Sequence, residues 1–432
     1  MWAMQLYHRW QQIAVANADQ WALREVHHAW TFRELQSALD ALPKATAPVI
    51  LQGRSAAFVL GTLQAWRDGQ IAVPVEEGAE FNATRARLET VPAGIVHVKT
   101  TSGSTGIPRH ILFTAEQLAA DAQQIISTMG LRQEWPNVGT ISLAHSYGFS
   151  NLVLPLLLHG IPLILVPDPL PETMRRVLAD NDGGCGFTIP AVPAMWRTWQ
   201  SAGILDADTV KLGISAGAPL LLKLEHAIFD ACGLKVHNFL GASECGGIAY
   251  DRTLHPRAPD SEWIGSALDG VSLSISDSGT LRVASAAVGQ SYWPQGESAL
   301  SGDGTFQTGD LVRLESSSEV HLLGRADDVI NVSGRKVHPD EIELRLSSQE
   351  EVLHAIVFSV PSSNAMRGDD MVAMVNLRDG ADLAKVKQAL ADGLHGAEWK
   401  WPRCWHVDSQ LLPDQRGKLS RAIWKARFLA GR

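Results

Sequence analysis

The segment Thr100-Thr101-Ser102-Gly103-Ser104-Thr105-Gly106-Ile107-Pro108-Arg109 has the make-up of a polyphosphate cradle. Small residues let backbone N–H groups approach phosphate oxygens closely, hydroxyls add donors, and Arg109 adds positive charge. It is not a Walker loop, because GxxxxGK[ST] is absent. Read alone, such a stretch is equally an ordinary flexible turn. The Pro108-Arg109 ending and the apolar run Ile111–Phe113 behind it favour the phosphate reading. Cysteine chemistry has little support: Cys185, Cys232, Cys245 and Cys404 are scattered, with no CxxC pair and no metal-ligand spacing. That usage fits a reducing, cytoplasmic setting.

The elements that must position this loop alternate. Pro48–Leu51 and Ile71–Val75 are short apolar runs around a helical pattern, Ala56–Arg67, with Ser55 as its candidate cap. Further on, Thr140–Ala144 reads as strand, Phe149–Leu158 as helix and Pro162–Val166 as strand; Val210–Ile214, Leu220–Ala231 and Lys235–Phe239 repeat the rhythm. Strands spaced by helices of this length predict an α/β fold of mainly parallel, helix-covered sheets. After about residue 262 the texture becomes β-rich: Val271–Ile275 and Thr280–Ala284 flank Ser276–Gly279 as a hairpin. A small α+β unit follows, with a helix from Pro339 to Leu346 and strands at His354–Val360 and Asp370–Leu377. The boundary falls near Gly324–Asp328, which divides the chain into a large domain, 1–325, and a small one, 326–432.

A chain of 432 residues exceeds one ordinary core. The formal charge of -9, without any basic run, argues against a nucleic-acid surface. Met1–Trp10 lacks the basic-then-apolar order of a signal peptide. The most apolar stretch, Leu152–Val166, is too short to span a bilayer and is interrupted by Pro155, His159, Gly160 and Pro162, so no membrane insertion is expected.

Four further fragments follow the loop in order. Leu240-Gly241-Ala242-Ser243-Glu244 trails an apolar strand. Thr308-Gly309-Asp310 trails the strand-like Thr305–Gln307. Gly324-Arg325-Ala326-Asp327-Asp328 runs through Val329–Lys336 to Pro339–Glu343. Pro413-Asp414-Gln415-Arg416-Gly417-Lys418-Leu419-Ser420-Arg421 stands near the end. Singly, Glu244 reads as a surface carboxylate, Asp310 as a turn residue, Arg325, Asp327 and Asp328 as a solvated cluster, and Lys418 as a loop lysine. Together with the phosphate loop, and in this order, they resemble the adenylate-forming superfamily of acyl-CoA synthetases, peptide-synthetase adenylation domains and luciferases, over roughly residues 45–432.

The resemblance implies a reaction and assigns roles. ATP and a carboxylic acid would form an acyl-adenylate, and a thiol of CoA or of a carrier-protein phosphopantetheine would then take the acyl group. Thr101, Ser102, Gly103, Ser104, Thr105 and Gly106, with Arg109, would hold the β- and γ-phosphates. Ser243 stands where a Thr usually touches the α-phosphate, and Glu244 matches the Mg²⁺ ligand. Ala216, Gly217 and Ala218 resemble the turn beside the adenine, with Asn238, Phe239, Leu240 and Gly241 as its other wall. Asp310 and Arg325 match the ribose contacts. Lys418 matches the lysine that bridges the attacking carboxylate and the ribose-phosphate oxygens. Asp327 matches the hinge of a mobile small domain, and Gly334 the glycine that meets the pantetheine.

His145-Ser146-Tyr147 resembles the His-x-Tyr segment of 4-coumarate–CoA ligase, which lines a hydroxycinnamate pocket. An aromatic wall favours a flat acid, although the same two residues also suit a plain core. The chain departs from the pattern in three places. Arg109 stands where Lys is commoner, and Leu240 where many relatives carry an aromatic residue but benzoate-type ligases an aliphatic one. Fewer residues precede the phosphate loop than in typical relatives, which implies a trimmed N-terminal lobe. The competing expectations are a medium-chain fatty acid ligase and a nucleotide-binding module that no longer catalyses.

Overall fold

The computed structural model describes residues 3–76, 91–101, 109–180, 185–258, 260, 262–294, 300, 302–316, 318–332, 335–362, 369–414 and 419–430. Apolar runs of the first two-thirds become strands buried on both faces. Leu163 and Leu165 point into one hydrophobic cluster with the helices Ala115–Met129 and Leu154–His159, while Ile164 between them points into a second cluster with Pro171–Ala179, Pro193–Ser201 and Leu222–Cys232. Burial on two faces is what a parallel sheet requires, because helical crossovers cover both. Two helices start with a capping box: Thr31 and Glu34, and Thr114 and Gln117, satisfy each other's orphan N–H groups.

Among the described residues the largest sheet has 13 strands. One half is parallel and contains Trp21–Arg24, Leu163–Leu165, Asn137–Gly139, Phe187–Ala191, Val210–Ser215 and Val236–Ala242. The other half is antiparallel: Gly246–Tyr250, Trp263–Ala267, Glu319–Arg325, Thr305–Glu315, Thr280–Ser285 and Val271–Ile275. A five-stranded sheet carries the flanks of the segment expected to cradle phosphate. Its strands Ile95–Thr101 and Arg109–Thr114 pair antiparallel, with Thr101 opposite Arg109. The chain beyond Arg325 builds its own clusters, on the hairpin Ile330–Val332/Arg335–Val337, the helix Pro339–Ser347 and a three-stranded sheet of Val352–Pro361, Asp369–Leu377 and Cys404–Val407. The fold is therefore α/β, with a large sheet-rich domain, a β-rich portion and a smaller α+β domain. No helix of the described residues is long and apolar enough to cross a membrane.

Several expectations need correction. Thr140–Ala144 is not a strand; the strand is Asn137–Gly139, three residues earlier. The apolar run is buried as a loop, with Thr140 donating its hydroxyl to the Pro190 carbonyl at 2.5 Å. An apolar run records burial, not backbone shape. The helix expected over Phe149–Leu158 contains a π-helical turn, Phe149–Val153, before the α-helix Leu154–His159. Ser55 gives no side-chain cap; instead the Ala56 N–H donates to Glu25 Oε1 at 3.0 Å. Thr308-Gly309-Asp310 does not trail a strand but lies within one, Thr305–Glu315.

Candidate active site

The strand Val236–Ala242 is the pivot of the large sheet. Val236, His237 and Asn238 pair in parallel with Gly213–Ser215, and Phe239–Ala242 pair antiparallel with Gly246–Tyr250. A crevice opens at the carboxyl ends of parallel strands where the connectivity changes, and ligands of open α/β sheets bind there. Four pieces of chain meet at this end. The turn Ala216–Ala218 leaves the neighbouring strand, with Gly217 at a φ of +86° that favours glycine. Asn238 and Phe239 are buried, Leu240 is half-buried and Gly241 exposed.

The His145–Tyr147 segment folds onto the pivot strand. The Tyr147 hydroxyl donates to the Ile214 carbonyl at 3.3 Å, and its ring centroid lies 5.9 Å from that of Phe239. Burial pushes this phenol well above its ordinary range, which keeps it neutral. His145 caps the short turn that follows, its Nδ1 accepting the Tyr147 N–H at 3.3 Å. Ser146 Oγ donates to Ser243 Oγ at 2.9 Å. Gly148 closes the segment: a Cβ there would stand 2.0 Å from the Ser142 carbonyl oxygen, so no larger residue fits. The π-turn begins at the next residue, and such turns recur where a helix must re-aim side chains.

Ser243 and Glu244 occupy the turn between Val236–Ala242 and Gly246–Tyr250. Gly246 has a φ of +71°, and a Cβ on it would meet Asp121 Oδ1 at 2.2 Å, so this turn packs directly onto the buried Lys99–Asp121 pair. Glu244 Oε1 accepts the Tyr292 hydroxyl at 3.0 Å, and the Glu244 carbonyl accepts the Gly289 N–H at 2.8 Å. Tyr292 lies on the strand Ser291–Trp293, paired with the strand Arg109–Thr114, and the Arg109 guanidinium sits 5.6 Å from its ring centroid. Metal-binding chemistry at Glu244 rests on one carboxylate: no cluster of three or more His, Cys, Asp or Glu that could cage a metal occurs among the described residues. This set fits Mg²⁺, which keeps its waters and needs one or two carboxylates beside substrate phosphates.

Asp310 and Arg325 face each other across the antiparallel ladder and form an ion pair at 3.5 Å. Asp310 is mostly buried and Arg325 half-exposed, so the pair presents its guanidinium outward. The Cys245 thiol, buried in the turn after Glu244, is raised well above the ordinary range by burial first, then by the charges of Glu244 and Asp121.

At the junction with the small domain, Ala326–Asp328 is a single 3₁₀ turn and Asp327 is exposed. Arg421, first residue of the last helix, binds Asp328, donates to Asp340 and Glu343 at 2.7 Å each, and also reaches the Val357 carbonyl at 3.2 Å. Burial, opposed by Arg421 and aided by Asp340, pushes the Glu343 carboxyl up to about 7. The sign follows: a carboxyl raised in the folded state contributes stability below its unfolded value near 4.5, and loses it as pH rises through 7. Thermal melting of the wild type should therefore fall between pH 5 and pH 7.5 by an increment that Glu343→Gln abolishes. Identical pH slopes for the two proteins would refute this.

Of the expected site residues, Ser102 to Gly106, Gly334 and Lys418 lie outside the described residues, as does the side chain of Thr101. His145, Tyr147, Ala216, Phe239, Ser243, Glu244 and Arg109 converge; Asp310 and Arg325 flank them from the antiparallel half. Three residues escaped the sequence reading: Ser146, Tyr292 and Arg421. Ser146 and Arg421 stand inside fragments already singled out, but their partners are 97 and 93 residues away. Tyr292 carried no signal beyond a short aromatic pair, Tyr292-Trp293.

Residues 22–308 match the AMP-binding enzyme family, and the chain belongs to it. It is 27% identical over 391 residues to a probable 2-succinylbenzoate–CoA ligase of Mycobacterium tuberculosis (strain ATCC 25618 / H37Rv), covering 87% of this chain and 96% of that protein. It is 24% identical over 384 residues to a 4-hydroxybenzoate–CoA/benzoate–CoA ligase of Rhodopseudomonas palustris (strain ATCC BAA-98 / CGA009), covering 84% and 71%. Its fold matches that of ATP-bound MatB from Rhodopseudomonas palustris with a TM-score of 0.84 at 19% identity, over 99% of each chain.

Proposed function

We propose that this chain is an acid–thiol ligase that activates an aryl carboxylic acid with ATP and then forms a thioester. In the first half-reaction a carboxylate oxygen attacks the α-phosphorus and the bond to pyrophosphate breaks. In the second, a thiol sulfur attacks the acyl carbonyl, the bond to AMP breaks, and the thiol proton leaves to solvent. The observation that carries the reading is the Ser146–Ser243 hydrogen bond. It joins the segment proposed to line the acid to the residue proposed to touch the α-phosphate, so the two reactants would meet where both elements end. Holding them together removes much of the entropic barrier.

Arg109 and the Thr101–Gly106 loop would take the β- and γ-phosphates. Ala216, Gly217 and Ala218, with Asn238, Phe239, Leu240 and Gly241, would wall the adenine. Mg²⁺, held through Glu244, supplies neutralisation of phosphate charge when bound. Asp310 would accept the ribose hydroxyls, with Arg325 beside it. Asp310→Ala should accordingly weaken ATP binding by about 1.5–3 kcal/mol, the worth of a charged hydrogen-bond acceptor. Unchanged affinity by calorimetry would remove Asp310 from the site.

The division into 1–325 and 326–432, with Asp327 as pivot, would let the small domain present Lys418 for adenylation and the Gly334 loop for thioester formation. CoA is the favoured acceptor because both sequence relatives are CoA ligases. A carrier-protein phosphopantetheine offers the same thiol, and direct comparison of the two acceptors separates them. A cytoplasmic location suits either.

The aryl assignment draws on those relatives and on the Tyr147–Phe239 ring pair. Burial of each added methylene contributes only about 0.8 kcal/mol, so an apolar pocket sorts chain length weakly, whereas a flat slot sorts shape. Catalytic efficiency with 2-succinylbenzoate, 4-hydroxybenzoate or 4-coumarate is expected to exceed that with octanoate and decanoate. A fatty acid that outperforms all three would replace the aryl reading with the medium-chain one. Failure of every acid to release pyrophosphate would favour a module that binds nucleotide without catalysis.

A further inference from the structure

Tyr292 is 7% exposed, yet its hydroxyl is aimed at a carboxylate rather than at the core. The backbone on either side of it is tied down: Gly289 N–H donates to the Glu244 carbonyl and Gln290 N–H to the Leu112 carbonyl, both at 2.8 Å, and Tyr292 pairs with Ile111. One face of the ring carries the Arg109 guanidinium. Tyr292 thus touches the residue that closes the phosphate loop and the residue that follows Ser243, although these belong to different sheets.

We propose that Tyr292 is a positioning residue that presents Glu244 to the divalent cation of the cation–ATP complex and couples that carboxylate to Arg109. The inference rests on the reading of Glu244 as the cation ligand. By donating to Oε1 the hydroxyl fixes the carboxylate rotamer and occupies one oxygen, and Oε2 makes no hydrogen bond among the described residues. A cation would then be met through one preset oxygen, without the cost of ordering a free side chain. The Arg109 guanidinium lies over the ring and is also a side-chain hydrogen-bond partner of Tyr292, so the same residue holds the group proposed to take phosphate charge.

The test compares ATP binding by calorimetry in excess Mg²⁺ and in EDTA, in the full-length protein without acid. Tyr292→Phe keeps the ring and loses the hydroxyl. It should weaken binding in Mg²⁺ by roughly tenfold, the scale of a charge-assisted hydrogen bond, and weaken binding in EDTA by distinctly less, because only the hydroxyl contact to Arg109 is lost there. Tyr292→Leu loses both contacts and should weaken binding in Mg²⁺ and in EDTA alike. Glu244→Gln is the control for the underlying reading and should abolish most of the gain that Mg²⁺ confers. If Glu244→Gln loses that gain while Tyr292→Phe keeps it, the inference about Tyr292 is overturned and Glu244 stands. If Glu244→Gln keeps it, Glu244 is not the ligand, and Tyr292 cannot act through it.

Discussion

Lys418→Ala is expected to lose adenylation by roughly two to three orders of magnitude, the usual cost of removing one group that meets charge developing in a transition state. Transfer of a pre-made acyl-adenylate to CoA should survive nearly intact. The asymmetry has a physical source. Adenylation brings a carboxylate against a polyphosphate, so two anions must approach and a cation between them lowers the barrier directly. Thioester formation starts from a neutral carbonyl and needs no such bridge. Pyrophosphate exchange reads the first half-reaction, and single-turnover release of AMP from the acyl-adenylate reads the second. Equal loss in both would remove Lys418 from its proposed role and point to a general structural defect.

Arg421→Met should destabilise the small domain by roughly 3–5 kcal/mol at pH 8, because it strands carboxylates that are partly buried around one guanidinium. Asp328, Asp340 and Glu343 all lie against that group, and their side chains are only 20–35% exposed. Methionine preserves the length and the apolar stem, so packing changes little and the charge is what is tested. The penalty should shrink at pH 6, where Glu343, raised to about 7 in the wild type and higher without its counter-charge, takes up a proton. Calorimetric unfolding at the two pH values measures both statements. A penalty that does not change with pH would mean that Glu343 stays ionised and that the loss comes from Asp328 and Asp340. Because Arg421 lies three residues after Lys418 and binds Asp328 beside the proposed pivot, the same variant should also slow adenylation.

Much of the candidate site could be proposed from the sequence because its chemistry demands residue types that stand out locally. A phosphate-binding loop needs small residues and hydroxyls in one unbroken run, and the composition of Thr101 to Gly106 is what proposes that role for them. The strand Val236–Ala242 and the hairpin Val271–Ile275/Thr280–Ser285 follow from short-range periodicity and turn residues, which depend on neighbours in sequence. Thr140–Ala144 failed for the complementary reason. Its apolar run is buried by a loop folded beneath Gly148, and hydrophobicity alone does not distinguish a buried loop from a strand.

The residue types, their order and the alternation of strand and helix were determined by the sequence itself, since each depends on a window of a few residues. Only the tertiary structure decided that Ser146 meets Ser243, that Tyr292 holds Glu244 while lying under Arg109, and that Arg421 gathers Asp328, Asp340 and Glu343. Those contacts span tens of residues and cross from one sheet or domain element to another. A hydrophobic pattern specifies which face of an element is buried but not which other face it meets, and that choice is made by the packing of the whole chain, once strand order and register have been set.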